Sequence, residues 1–66
     1  MTYEEKINWI TNIENTASYI ASKIGEEVVT SILYKYGASS IEQIASFDLS
    51  EVFSELYAIE ADLRSG

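Results

Sequence analysis

The sequence contains no cysteine, no histidine and no proline, and only three glycines. Without thiols or imidazoles, the chain can form neither a disulfide nor a thiolate or imidazole metal site. It also cannot build a nucleophile–base pair on either group. Glycine-rich phosphate loops and the Ser-x-x-Lys arrangement are missing as well, so no cofactor and no catalytic residue is expected. No apolar run approaches the roughly 20 residues of a membrane span. Glu4 and Glu5 stand where a secretory leader would carry basic residues, so a cytoplasmic, membrane-free protein is expected. Basic residues are scarce too: four against eleven acidic ones, a net charge of −7. Such a chain repels nucleic-acid phosphates and anionic lipid, which argues against direct nucleic-acid binding. It attracts a protein partner with a basic surface, although acidity can also serve solubility alone.

What is present suits a single small helical domain. The 66 residues allow one core and are read as one domain, residues 1–66. A chain this short buries only about 60 % of its unfolded surface, so stability has to come from close helix packing or self-association. Hydrophobic residues make up 47 % of the chain, enough to oppose disorder.

Ile7, Ile10, Ile13, Ala17, Ile20 and Ile24 recur at spacings of three and four, which is helical periodicity. Thr2 followed by Glu5 forms a capping box at the start. Beyond Gly25 the apolar face, carried by Val29, Ile32, Leu33 and Tyr36, is rotated by roughly a third of a turn. A straight helix would then bury two different faces, so a break near Gly25 is predicted. Gly37 is a fitting C-terminal cap. Ser39 with Glu42 reads as a further capping box opening a short helix, and Asp48 with Glu51 as another opening a long one. Leu49, Val52, Phe53, Leu56, Ile59 and Leu63 form the last stripe. The prediction is an all-α bundle of three to four helices over approximately 3–24, 26–36, 40–46 and 49–64. The first and last are expected to pack together, with Trp9, Phe47 and Phe53 as large core residues.

Asp48-Leu49-Ser50-Glu51 lacks the alternating ligands and central glycine of a calcium loop, and a helix cap accounts for its acids. Asp48, Glu51, Glu55 and Asp62 fall in a narrow sector of the last helix, with Glu42 extending it. Like charges at these spacings repel by a few tenths of a kcal/mol per pair. Glu51, Glu55 and Asp62 are therefore candidate protein-binding residues, the alternative being an ordinary solvated face. Glu60 falls inside the apolar stripe, where Arg64 at i+4 can pair with it, either at a frayed end or at the edge of an interface. Tyr19 and Tyr34 lie off the main stripes and are candidate contact aromatics.

The segments Ile24 to Val29, Tyr34 to Ala38 and Leu49 to Arg64 resemble a group of short acidic proteins from conjugative transposons and related mobile elements of Firmicutes. The resemblance covers about the last two-thirds of the chain. It implies a helical fold and a mobile-element context, with no activity and no catalytic residues to carry over. The expected function is a non-enzymatic protein–protein interaction module, an accessory protein of a mobile genetic element. The alternatives are an acidic inhibitor that imitates DNA toward a host DNA-binding protein, and a structural homodimer.

Overall fold

A computed structural model describes residues 1–66. Helix α1 spans Tyr3–Ile24, α2 spans Glu27–Lys35 and α3 spans Leu49–Ser65, with two 3₁₀ turns at Ile41–Gln43 and Ser46–Asp48. There is no strand, and the fold is a small all-α bundle.

Helix α1 begins where the capping box places it. The Glu5 amide donates to Thr2 Oγ1 at 3.1 Å, and the Thr2 amide donates to the Glu5 carboxylate at 2.9 Å. Two orphan amides are thereby satisfied reciprocally. The helix ends at Gly25, whose φ of 95° and ψ of 164° stop the helical hydrogen-bond pattern. The predicted break is present, and α2 folds back along α1.

Helix α2 ends in a Schellman motif. The Gly37 amide donates to the Tyr34 carbonyl and the Ala38 amide to the Leu33 carbonyl, both at 3.0 Å. Gly37 adopts φ 75°, the left-handed conformation this closure requires. The motif carries its usual apolar contact, since Ala38 and Leu33 are both buried in the core.

Between residues 38 and 48 the chain departs from the predicted short helix over 40–46. It makes two 3₁₀ turns separated by extended backbone at Ile44 and Ala45. A helix of one or two turns is costly to nucleate, and tertiary anchors decide the path instead. Ile44 and Leu49 are 3 % and 0 % exposed, and pinning both forces the intervening residues outward. Phe47, expected in the core, is consequently 83 % exposed. The capping predictions here also shift. Gln43, one residue past Glu42, accepts from the Ser39 amide at 2.9 Å and from the Ser39 hydroxyl at 2.6 Å. Asp48 sits in helical conformation and makes no side-chain cap to α3.

The core comprises Ile13, Ala17 and Ile20 of α1, Val29 and Leu33 of α2, Ala38 and Ile44 of the connector, and Leu49, Val52 and Leu56 of α3. Trp9 meets Phe53 near the start of α1 and α3, and Tyr19 meets Arg64 near their ends, so these two helices run parallel. At 22 residues, α1 outlasts both partners. The ends of its apolar stripe, Ile7 and Ile24, are therefore left 42 % and 49 % exposed.

Candidate protein-binding surface

The seam between α1 and α3 gathers three of the sequence-predicted residues. Arg64 Nε donates to Glu60 Oε2 at 2.7 Å, and the Arg64 guanidinium lies 4.1 Å from the Tyr19 ring centroid. Lys23 approaches the same ring at 5.6 Å. Tyr19 is therefore half-buried beneath two cations instead of standing free, and its ring contributes cation–π attraction. The Arg64 bond, followed by the Thr16 hydroxyl, holds the Glu60 carboxyl below the usual carboxylate range. Thr16 itself is buried. Lower on the seam, Trp9 meets Phe53 edge-on at 5.8 Å, and Phe53 stacks on Tyr57 at 5.5 Å. Tyr57 leaves half its surface in water.

Across α3 the acidic sector meets the end of α2. Lys35 Nζ donates to Glu55 Oε1 at 2.5 Å, and the Tyr36 hydroxyl donates to Glu55 Oε2. Glu55 is thus occupied internally as a tether between α2 and α3. Its carboxyl is lowered by the bond from Lys35 and then by that from Tyr36. The Tyr36 phenol is pushed up to about 12, first by its bond to Glu55, then by burial, then by the negative charge of Glu55, Glu51 and Asp48. One group lies below the neutral range and the other above it, so their shared proton stays on the phenol at neutral pH. Glu51 and Asp62 remain exposed, as does Tyr34 on α2 at 65 %. No three acidic side chains converge in a metal-holding geometry.

A groove of about 480 Å³ opens between α1 and α2. Its α1 side carries Glu14, Ala17, Ser18 and Ala21. The opposing side carries Glu26, Val29 and Thr30, and Ile41 of the connector closes one end. Four of its eight lining residues are apolar, and two of the polar ones, Glu14 and Glu26, are exposed carboxylates outside any ion pair. Sequence reasoning did not single out this site. The angle at which α2 leaves Gly25 decides whether this flank of α1 is open, and helical periodicity does not report that angle.

Acid should weaken the Glu55 and Glu60 contacts. Both carboxyls are depressed in the folded state. Their contribution is present above the unfolded carboxylate value of about 4.3 and is lost as pH falls through the lower folded values. The thermal midpoint of the Glu55→Gln/Glu60→Gln variant should therefore vary less between neutral and acidic pH than that of the parent. Acid also relieves self-repulsion in both proteins, so the difference between them is the informative quantity. Parallel pH profiles would show that neither carboxylate is linked to folding.

No protein family matches the chain, and no curated protein or solved structure is detectably similar to it.

Proposed function

We propose that the domain is a protein–protein interaction module that binds the basic surface of a partner. The observation that carries this reading is the charge balance left after folding. Two of the eleven carboxylates pair with two of the four cations, as Lys35–Glu55 and Arg64–Glu60, leaving nine carboxylates against Lys6 and Lys23. An array that the fold leaves uncompensated is best matched by charge from outside. The absence of histidine and cysteine, the exposed Glu51, Asp62 and Tyr34, and the half-exposed Tyr57 support a binding role. The resemblance of residues 24–29, 34–38 and 49–64 to short acidic proteins of mobile elements suggests the context, an accessory role in such an element. Glu55 contributes less to a DNA-like array than its position on the wheel implied, because Lys35 and Tyr36 occupy its oxygens.

The test is recovery of a stoichiometric partner from the native host, followed by reconstitution from purified components at low and high salt. A basic partner whose affinity falls with ionic strength is expected. A partner bound equally well at both salts would overturn the reading.

Phe47 favours a second reading, a homodimer, because an aromatic ring that is 83 % exposed is an apolar contact without a partner. Sedimentation equilibrium separates the two. A monomer at micromolar concentration removes the homodimer.

A further inference from the structure

We infer that the groove between α1 and α2 receives a basic amphipathic helix from a partner protein. The helix lays two apolar side chains one turn apart over Ala17 and Ala21 and brings lysine or arginine beside Glu14 and Glu26. This inference rests on the interaction-module reading and specifies its contact.

The groove has the shape for such an occupant. Its α1 wall runs from Glu14 to Ala21, eight residues or two helical turns, which is about 10 Å along the axis. Two apolar residues at i and i+4 on a facing helix are about 6 Å apart along the axis, the separation of Ala17 and Ala21 within that wall. Ala17 and Ala21 put only methyl groups on the floor, so a helix backbone can approach to the roughly 8–10 Å at which helices pack. Val29 and Ile41 provide apolar walls for the inserted side chains.

Charge selects the occupant. Glu14 and Glu26 stand at the rim, no cation lines the groove, and neither carboxylate is paired within the chain. Three of the four cations are placed elsewhere: Lys35 on Glu55, Arg64 on Glu60, and Lys23 over Tyr19. An acidic or neutral helix would bury these carboxylates without compensation, which is costly. A second copy of this chain is disfavoured for the same reason, since it would bring another charge of −7 to the rim.

The probe is a fluorescein-labelled helical peptide of about 14 residues, with two leucines at i and i+4 and lysines on the flanking positions. Binding is followed by anisotropy and mapped by amide chemical shifts. Shifts should concentrate on residues 14–21 and 26–30. Glu14→Gln/Glu26→Gln should weaken binding about tenfold, whereas Glu4→Gln, which removes an exposed carboxylate from the far end of α1, should change it less than about twofold. Ala21→Leu should block the groove, and Thr30→Lys, at an exposed helix position, is a second blocking variant should Ala21→Leu fail to fold. Equal weakening per charge removed by the groove and Glu4 variants, or shifts centred on α3, would overturn the groove while leaving a general acidic docking surface intact. No binding by the parent protein overturns the groove as a receptor for this peptide class, and the reconstitution test then decides the broader reading separately.

Discussion

Replacing Leu56 by alanine is expected to lower stability by about 2–5 kcal/mol, the range for truncating a large aliphatic residue in a closed core. Leu56 is 0 % exposed and belongs to a core of only ten buried apolar residues contributed by every segment of the chain. A domain of this length has about 3–10 kcal/mol in total, taking the usual ~0.05–0.15 kcal/mol per residue. Each kcal/mol moves the midpoint of so small a domain by roughly 4–8 °C. A drop of roughly 8–40 °C is therefore expected, with a substantial unfolded fraction at 37 °C. Phe47→Ala is the matched control. Phe47 is the larger residue, yet it is 83 % exposed, so its removal should change stability by no more than about 0.5 kcal/mol. Differential scanning calorimetry on the two variants decides the matter. The reverse ranking would mean that the connector folds Phe47 inward. A loss on Phe47→Ala that grows with protein concentration would instead indicate self-association through that ring.

The contrast between these residues marks where the sequence is informative about the fold. The extent of α1 follows from a strong local signal, the Thr2–Glu5 box followed by three-four periodicity from Ile7 to Ile24, and the helix ends where Gly25 predicts. Helix α3 begins at Leu49 as its apolar stripe predicts, even though the Asp48 cap that suggested the boundary makes no side-chain bond. The connector was not legible. Its conformation is set by Ala38, Ile44 and Leu49 entering a core built by distant residues, and hydrophobicity alone could not distinguish an inward Ile44 from an outward Phe47. Ala38 could have been found: the second residue after a helix cap at Tyr36 is the position whose apolar contact closes a Schellman motif.

The candidate surface divides in the same way. The Glu60–Arg64 pair lies within one helix at i,i+4, a spacing that can be read directly. The bonds from Lys35 and Tyr36 to Glu55 cross about twenty residues of sequence and depend on where α2 lies against α3. Helical periodicity reports which side of each helix is acidic, and it carries no information on which neighbouring helix supplies a cation. The groove depends on the same missing quantity, the placement of α2. The geometry at Gly25 therefore controls both features.

Gly25→Ala tests that control, and it should lower stability by about 1–3 kcal/mol. Gly25 has φ 95° and ψ 164°, a region essentially closed to L-residues. A Cβ added there would meet nothing within 4 Å, so the whole cost lies in the backbone and not in a clash. The chain could relieve the strain by running α1 straight into α2, since alanine favours helix over glycine by about 1 kcal/mol. That path would rotate Val29 and Leu33 off the core and carry Lys35 and Tyr36 away from Glu55, so core burial opposes it. The expected result is a domain with unchanged helical circular dichroism and a midpoint lowered by roughly 5–20 °C. A gain in helical signal with loss of cooperative melting would show that the helices had fused. The chain is short enough for chemical synthesis, and D-alanine at the same position supplies the decisive contrast, because mirror-image sterics favour a positive φ. The L-residue should destabilise and the D-residue should not. Equal losses would place the cost in packing around the turn and remove the backbone argument for why α2 folds back along α1.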